Sequence, residues 1–454
     1  MKMKYTLGIV IYAAACNATV LASDWPQLAG GALHTSHTFN GPAGLGVTLW
    51  RAEPNAAEEY IALAAPVVSQ GRVFVAARRF DGFDHVATLL IAYDADSGDR
   101  LWTAPMEPDE QDSWSSPAVD AARERVLFPS GFTLYAFEVD DGAPAWTTEF
   151  MRPVVNASPT VAGDRVLMSD AKGFGVGSRL YAVNAAPFDK NDNPYQPGDV
   201  VWDVDIGAST GATASVVGAT VYVANIDGEI MAVDLGDGAE VWRTDFAAVV
   251  GAESAKFFSG LAARGGALYG ATYNFNGSAN SSWLVKLDRA TGAIAWRVPC
   301  ARSRSIPIAT DDGRILLAGG IAGFGSNTTV QAFADNDTSA TMLWDTAVDA
   351  PALGSIGGWT TQPLYSRGRL FVGEPAPPGD FFGPYQRLLA IRPALTPEAP
   401  GFVVQEQVGA GGSCAVSDQR LYSIGVDGLF CIDGSDAPHS GTVMRGPTPT
   451  RWSP

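Results

Sequence analysis

The sequence has few of the residues from which metal and catalytic centres are usually built. Only four cysteines and four histidines occur in 454 residues, and no two cysteines are adjacent. The zinc-protease pattern H-E-x-x-H and the haem-attachment pattern C-x-x-C-H are both missing. His34 and His37 lie three residues apart, but no third metal ligand accompanies them, so we expect both to be solvated loop residues.

Positive charge is also scarce. Thirty Lys and Arg stand against 48 Asp and Glu, for a formal charge of -18, and no basic stripe is visible. Such a surface repels phosphate backbones, so we expect no nucleic-acid partner. Hydrophobic residues make up 46% of the chain and charged residues 17%, a composition that excludes a disordered protein.

Long apolar runs are missing except near the start. Residues 1–22 combine Lys2 and Lys4 with a short apolar run and a Val-Leu-Ala end, which predicts a signal peptide and a periplasmic or secreted protein. An alternative is that Cys16, after three alanines, is lipidated. The only membrane contact we expect is then this lipid, which would anchor the protein to the outer membrane.

A repeat dominates the rest of the chain. The stretch LLIAYDADSGDRLW at 89–102 recurs as LYAFEVDDGAPAW at 134–146, IMAVDLGDGAEVW at 230–242 and LVKLDRATGAIAW at 284–296. Each copy has two strand-like runs joined by an Asp- and Gly-containing hairpin turn, and a second pair of strands, such as SPTVAGDRVLMSD at 158–170, precedes it. Four strands per unit of about 40–50 residues are typical of propeller blades.

The number of blades can be inferred from the tryptophan that ends each unit. Six units end in Trp, Phe402 is expected to take the place of a seventh, and the unit starting at Ser413 lacks a fourth strand. Residues 46–50 form a fourth strand without the other three, so joining them closes an all-β, eight-bladed propeller over residues 23–435, with a tail at 436–454. We expect the Trp rings to wedge between blades as structural residues: Trp50, Trp102, Trp146, Trp202, Trp242, Trp296 and Trp344.

These units, with SPxV before xAxDxxxGxxxW, resemble the repeats of the pyrroloquinoline-quinone-type (PQQ-like) β-propellers, and the opening Asp24-Trp25-Pro26-Gln27 resembles their N-terminal signature. The resemblance covers about residues 24–433. It implies the propeller fold, and it leaves two functional branches open: quinone- and calcium-dependent dehydrogenases, and an outer-membrane barrel-assembly lipoprotein without chemistry.

The dehydrogenase branch fits poorly, because its members carry an adjacent cysteine pair that is missing here. We therefore expect an exported, non-catalytic scaffold without a quinone, and keep the assembly lipoprotein and a quinone- or calcium-dependent oxidoreductase as alternatives. Cys300, Cys414 and Cys431 are interpreted as small buried thiols, with no disulfide assigned. The best calcium candidate is an oxygen-rich turn insertion, with ligands Asp189, Asn191, Asn193 and Asp199.

Insertions concentrate in the loops between second and third strands and between blades, which open on one face of a propeller. We expect this face to bind a protein or a polysaccharide through exposed aromatic and arginine side chains. The candidate residues are Arg78, Arg79, Phe80, Phe83, Trp114, Phe275, Trp359, Phe381, Phe382 and Tyr385, although any of these aromatics could instead fold back to cap the ring.

Overall fold

The repeats fold as four-stranded antiparallel sheets, and eight such sheets form the blades of a ring. The computed structural model describes residues 24–109, 111–171, 177–277, 280–323, 326–377, 380, 382–392, 403–435 and 444–445. In each blade the first strand is innermost and the fourth is outermost, so the chain moves outward through every sheet before it starts the next one. The predicted eight-bladed, all-β propeller is confirmed.

The strands of blades 1 to 4 are given in chain order. Blade 1 comprises Val67–Ser69, Arg72–Asp81, Asp84–Asp94 and Arg100–Met106, with an added strand Glu58–Tyr60. Blade 2 comprises Ala118–Asp120, Arg125–Ser130, Thr133–Glu138 and Pro144–Glu149. Blade 3 comprises Thr160–Ala162, Arg165–Ser169, Arg179–Asn184 and Val200–Asp205. Blade 4 comprises Ser215–Val217, Thr220–Ala224, Glu229–Asp234 and Glu240–Asp245.

Blades 5 to 8 repeat this order. Blade 5 comprises Ala262–Arg264, Ala267–Ala271, Ser282–Asp288 and Ile294–Cys300. Blade 6 comprises Ile308–Ala309, Arg314–Gly319, Thr329–Asp335 and Ala340–Asp345. Blade 7 comprises Leu364–Ser366, Arg369–Glu374, Arg387–Arg392 and Val403–Val408, flanked by His37–Thr38 and Met444–Arg445. Blade 8 comprises Cys414–Ser417, Arg420–Gly425 and Gly428–Asp433, and its fourth strand is Thr48–Ala52.

The fourth strand of blade 8 closes the ring. Thr48–Ala52 runs antiparallel to Gly428–Asp433, with Trp50 opposite Cys431. The prediction that residues 46–50 complete the last blade is confirmed, with the strand shifted two residues toward the C-terminus. The closure gives the last blade its outer strand, and it links the first and the last part of the propeller directly.

The motif xAxDxxxGxxxW has a physical explanation in the contact between blades. In blade 1, Ala92 stands opposite Trp102, and the Asp94 carboxylate accepts the N–H of Ser97 at 2.8 Å to close the turn. Gly98 follows with a positive φ of 77°, and the Trp50 ring of blade 8 packs directly against it. The Trp50 indole N–H donates to the carbonyl of Ala95 at 3.0 Å. The Trp50 ring thus packs on the turn of the following blade.

The same seat recurs around the ring. Trp102 donates to the carbonyl of Val139, Trp202 to that of Leu235 and Trp242 to that of Arg289, at 2.9–3.1 Å. Apolar side chains fill the space beneath these contacts, as where Phe74 and Leu90 of blade 1 pack with Phe128 of blade 2. The core is therefore a series of interfaces between blades.

Blade 7 departs from the pattern. Its small residue Ala390 stands opposite Gln405, so the prediction that Phe402 takes the tryptophan place is wrong. Phe402 itself lies outside the described residues. The reason is the ring closure: blade 8 takes its fourth strand from the N-terminus, so it has no turn between its third and fourth strands on which a ring could seat. Gln405 instead accepts the N–H of Leu45 at 3.0 Å.

Blade 5 departs from it in another way, because Lys286 replaces the small residue opposite Trp296. Its ammonium lies 2.8 Å from the carboxylate of Asp335 in blade 6, and Trp296 donates to the same carboxylate at 2.9 Å. Burial raises the pKa of Asp335, but hydrogen bonds from Lys286, Tyr269 and Trp296 outweigh this, so the pKa lies below its usual value.

Replacing Asp335 with Asn is expected to destabilise the protein by about 2–4 kcal/mol at pH 7, because Lys286 loses its opposite charge in a largely buried place. The pKa of Asp335 is lowered in the folded state, so its contribution is present above the unfolded value of about 3.9 and is lost as the pH falls through the folded value. Urea unfolding of both proteins at pH 7 and pH 3 measures this difference. Asp96→Asn, which breaks an exposed pair with Arg420, is the control and is expected to cost less than about 1 kcal/mol.

Residues 24–38, here called the channel segment, cross the inner strands. The channel segment makes backbone bonds to four of them through Trp25 with Val68, Pro26 with Val119, Ala32 with Val216 and Leu33 with Ala263. The Gln27 side chain bonds to Val161 of blade 3, and Ser36 to Tyr365 of blade 7. The Asp24 carboxylate also accepts the hydroxyl of Ser417 in blade 8 at 3.2 Å. The channel segment therefore ties seven blades together at the inner edge of the ring.

Helical structure is confined to loops. Two α-helical turns, Ala247–Val250 and Thr346–Asp349, and three 3₁₀ turns, Leu28–Gly30, Ala252–Ser254 and Pro351–Leu353, are described. Among the described residues no helix is both long and apolar enough to cross a membrane. Cys300, Cys414 and Cys431 are free and buried, and burial raises the pKa of Cys414 and of Cys431 to about 12.

Candidate functional site

Because the four strands of each blade run up and down in sequence, the loops lie on two opposite faces of the propeller. Turns between first and second strands, and between third and fourth strands, lie on one face, here called the short-turn face. Turns between second and third strands and the links between blades lie on the other, the loop-rich face. The channel segment bonds to the turn ends of the inner strands, as where Asp24 accepts the N–H of Gln70 at 3.0 Å, so it lies toward the short-turn face.

A two-stranded ribbon from blade 1 stands on the loop-rich face. The sequence predicted a loop from Arg78 onward, but residues 78–81 and 84–88 continue the paired strands Arg72–Asp81 and Asp84–Asp94. The prediction was wrong because the extra strand Glu58–Tyr60 pairs with residues 77–79 and extends the sheet. At the tip, the Phe83 side chain is fully exposed, at 103%.

The base of the ribbon is fixed by charge. The buried carboxylate of Glu58 accepts Arg79 at 3.1 Å and Arg100 at 2.7 Å. Burial raises the pKa of Glu58, but the hydrogen bonds from the two arginines outweigh this and lower it. Phe80 meets His85 across the ribbon, with ring centroids 5.7 Å apart. The tip phenylalanine is therefore carried on an ordered base.

The predicted aromatics meet over the channel. Trp114, from the link before blade 2, lies 6.3 Å from Trp359, from the link before blade 7, and 5.6 Å from Phe382. The ring centroid of Tyr273 lies 5.3 Å from that of Trp359 and 4.6 Å from that of Phe275. These rings form an aromatic cap, defined here as Trp114, Tyr273, Phe275, Trp359 and Phe382. The cap retains an exposed part, since Phe382 is 58% exposed.

Other predicted residues take different places. Tyr385 is buried and its hydroxyl lies 2.9 Å from that of Thr360, so it supports the cap from below. Arg78 donates to the carbonyl of Ser113 at 3.1 Å and lies 3.8 Å from the Asp112 carboxylate. Phe381, the signal segment 1–22 with Cys16, and the tail apart from residues 444–445 lie outside the described residues.

A groove of about 740 Å³ separates the ribbon from the aromatic cap. Its apolar lining includes Ile61, Leu63 and Ile424. Acidic residues at the groove are Glu59, Asp112 and Asp380, against one arginine, Arg78. The groove therefore combines an apolar surface with a negative rim.

The channel below the cap is narrow. It holds a cavity of about 30 Å³, lined by residues of the links that precede the eight blades and by Leu28 of the channel segment. Hydroxyl groups link neighbouring blades here: the Ala65 N–H donates to Ser116 Oγ at 2.9 Å, the Ser116 N–H to Ser158 Oγ at 2.9 Å, and the Ser158 N–H to Thr213 Oγ1 at 3.0 Å. Sequence reasoning missed this column, although the Ser of SPxV marks it.

The two histidines were predicted as solvated loop residues, and this is wrong. Both belong to the channel segment. His34 is buried, with Nε2 3.5 Å from Thr160 Oγ1, and burial lowers its pKa to about 4. His37 is half-buried, and burial together with the nearby Arg264 lowers its pKa to about 4. Their place in the channel segment, which the sequence does not reveal, buries His34 and shields His37 in part.

The calcium candidate is a self-bonded turn. Asp189 and Asn193 exchange backbone bonds at 2.8 and 2.7 Å, the Asp189 carboxylate accepts the N–H of Asn191 at 2.9 Å, and Asp199 accepts that of Gln196 at 2.7 Å. Over the described part of the chain, no three His, Cys, Asp or Glu residues are grouped to hold a metal. Calcium at this turn stays a prediction.

A nucleophile pattern is also present, because residues 207–211 read G-x-S-x-G. In hydrolases this pattern exposes the serine on a sharp turn between a strand and a helix. Here Ser209 is buried in the link between blades 3 and 4, and a strand, Ser215–Val217, follows. The Ser209 N–H donates to Ser178 Oγ at 3.0 Å, so the backbone of Ser209 is held within the loop.

Neither the channel nor the groove beside the ribbon fits a quinone cofactor of the kind used by dehydrogenases of this superfamily. A tricyclic quinone needs a pocket of roughly 300 Å³ or more, and the channel cavity offers about 30 Å³. The groove beside the ribbon is large enough, but its rim of Glu59, Asp112 and Asp380 opposes the carboxylates that such a quinone carries.

Known proteins share this architecture. The family model of the outer membrane protein assembly factor BamB matches residues 43–132, 86–192, 189–274 and 280–377. Outer membrane protein assembly factor BamB of Yersinia pestis is 26% identical over 197 residues, which is 42% of this chain and 46% of that protein. The match therefore spans less than half the length of that relative.

Solved structures agree on the fold. BamB from Moraxella catarrhalis superposes with a TM-score of 0.56 at 16% identity, covering 85% of this chain and 97% of that one. A quinohemoprotein alcohol dehydrogenase from Comamonas testosteroni superposes with a TM-score of 0.59 at 14% identity, and the match covers 93% of this chain and 83% of that one. At such identities the likeness shows the fold alone, and the matched repeats confirm the PQQ-like propeller superfamily. Since the repeat matches span most of the propeller, the chain belongs to the family of the outer membrane protein assembly factor BamB.

Proposed function

We propose that this protein is an exported, non-catalytic scaffold that binds a protein of the outer-membrane assembly machinery through its loop-rich face. The observation that carries the proposal is the ribbon of blade 1, which holds a fully exposed Phe83 beside the acid-rimmed groove. Membership of the BamB family supports an envelope location and a protein partner.

The ribbon has the properties of a binding element. Exposed aromatic side chains on a prepared backbone lose little entropy when they are buried in a partner, and a few of them supply most of the binding energy of an interface. Phe83 is held on paired strands whose base is fixed by Glu58, Arg79 and Arg100. A partner pocket can therefore receive the ring without reordering the ribbon.

The groove indicates the chemistry of the partner segment. Its lining of Ile61, Leu63 and Ile424 suits apolar side chains, and the excess of acidic over basic groups at the rim suits a partner with Lys or Arg next to them. The chain's charge of -18 favours a basic partner surface as well, since complementary charge speeds association. A polysaccharide without positive charge would use neither property.

Phe83→Ser is expected to weaken partner binding about 30-fold, because loss of a central aromatic costs about 2 kcal/mol or more. The folded state should be unaffected, since the ring is outside the core. The measurement is photo-crosslinking from a benzophenone amino acid at position 83 in intact envelopes, followed by the affinity of the captured protein for the wild type and the variant.

Phe188 provides the matched control. It is a phenylalanine with 49% exposure in the loop between the third and fourth strands of blade 3, on the short-turn face. A crosslinker at position 188 should capture no protein, and Phe188→Ser should bind like the wild type. Equal capture from both positions, or unchanged affinity of Phe83→Ser, would contradict the proposal.

A further inference from the structure

An arginine without an acidic partner lies at the top of the channel. Arg304, in the link before blade 6, is half-buried, and its guanidinium carbon lies 4.6 Å from the centre of the Trp114 ring. One of its nitrogens donates to the carbonyl of Asn156 at 3.1 Å, across the channel. Among the described residues that line the channel cavity, none is Asp or Glu. The cation is therefore stacked on a ring and bonded to a neutral carbonyl, and no described residue that lines the cavity balances its charge.

The cavity beside Arg304 is lined by hydroxyl groups whose hydrogens lack acceptors. Ser116, Ser158, Thr213 and Ser413 each accept a backbone N–H from the neighbouring blade, at 2.9–3.0 Å. A hydroxyl that accepts still has one hydrogen to donate, and no described residue accepts from these four. The hydroxyl hydrogens can rotate into the cavity, and a group placed there must accept hydrogen bonds.

The Trp114 indole adds to this set of donors. Its Nε1 is buried and has no hydrogen-bond partner in the described part of the chain, although Trp114 lines the same cavity. A buried donor that stays unpaired costs about 1–3 kcal/mol. The walls thus offer one cation and several hydrogen-bond donors.

We propose that the channel cavity binds one small monovalent anion of the halide type, chloride in its biological form, against Arg304 and the hydroxyl groups of Ser116, Ser158, Thr213 and Ser413. The anion would hold the eight inner edges together at the axis, beneath the aromatic cap. It is a site independent of the partner surface on the ribbon.

Charge and size select this class of ligand. A metal cation is excluded by Arg304 and by the lack of acidic lining residues. The volume of about 30 Å³ exceeds the roughly 10–15 Å³ that a cavity needs to hold one water molecule, so it accepts a single-atom anion and leaves little room for sulfate or phosphate. Burial lowers the pKa of Arg304 to about 9, and a neighbouring anion would offset that cost and favour its charged form.

Bromide is the probe, because its anomalous scattering separates it from water. Crystals grown in sodium bromide are expected to show one anomalous peak on the channel axis, within hydrogen-bonding reach of Arg304. In thermal melts at constant ionic strength, replacing gluconate with chloride or bromide is expected to raise the melting temperature. A halide concentration of 100 times Kd would raise the folded-to-unfolded ratio about 100-fold.

Arg304→Gln should abolish both the axial peak and the halide dependence, while Arg51→Gln, which alters an exposed arginine paired with Glu53, should change neither. If Arg304→Gln does not fold, Ser413→Ala is tested in its place and should weaken the halide dependence. Bromide peaks at the surface only, or a halide dependence that survives in Arg304→Gln, would overturn the site. Neither outcome bears on the ribbon, so the proposed function is tested separately.

Discussion

Replacing Gly98 with alanine is expected to destabilise the propeller by about 2–5 kcal/mol. Two costs combine at this residue. Its φ of 77° belongs to the left-handed region, where a side chain costs about 1 kcal/mol or more. A Cβ atom there would lie 2.6 Å from the Trp50 ring, so the ring must leave its seat on blade 1. Overpacking of this kind typically costs a further 1–3 kcal/mol.

Gly71→Ala is the matched control, because Gly71 has a φ of 73° but nothing within 4 Å of its Cβ position. Its expected loss of stability is only the cost of placing a side chain at a left-handed φ. The measurement is urea unfolding followed by tryptophan fluorescence, which also reports whether the Trp50 environment changes. Equal losses in the two variants would contradict the idea that the motif glycine is required for contact with the ring.

Removing residues 24–52 is expected to prevent formation of a stable monomer. The deletion removes the outer strand Thr48–Ala52 together with Trp50, and it leaves Gly428–Asp433 as an open sheet edge. Loss of a packed tryptophan costs about 3–5 kcal/mol and each ladder bond about 1 kcal/mol, so the sum approaches the whole stability of an ordinary domain. Size-exclusion chromatography with light scattering should show oligomers and aggregate, because open edges pair with one another.

A shorter deletion separates the closing strand from the channel segment. Without residues 24–41 the protein keeps Thr48–Ala52 and should remain a monomer that melts at a lower temperature, since the bonds to the inner strands are lost. A peptide of residues 42–53, added to the longer deletion, should restore part of the monomer. A monomeric, cooperatively melting protein without residues 24–52 would show that closure is not needed.

The repeat made the fold predictable. The spacing from the small residue through Asp and Gly to Trp specifies a strand, a turn and a strand, and the count of such units fixes the number of blades. The exceptions follow from contacts between blades that one repeat cannot reveal. Phe402 was chosen because it is aromatic, but the register places Gln405 opposite Ala390, next to a blade that has no third-to-fourth turn.

The site was predictable only in part. Insertion length indicated a crowded face, and the topology places Trp114, Phe83 and Phe382 there. The sequence could not show that Glu58–Tyr60 would turn a predicted loop into a ribbon, because that pairing joins residues about 20 positions apart through an added strand. Arg304 was missed for a different reason, since a lone arginine in a link has no pattern, and its isolation from acidic groups exists only in the folded ring.

The position of the channel segment also bears on how the propeller would be oriented if it were anchored to a membrane. Asp24, at the start of the channel segment, is bonded to Ser69 and Gln70 toward the short-turn face. A lipid on Cys16 would leave eight residues before Asp24, a tether of at most about 26–29 Å. A propeller tethered in this way would turn its short-turn face to the lipid headgroups and would direct the Phe83 ribbon into the aqueous space, toward partners that stand away from the membrane surface.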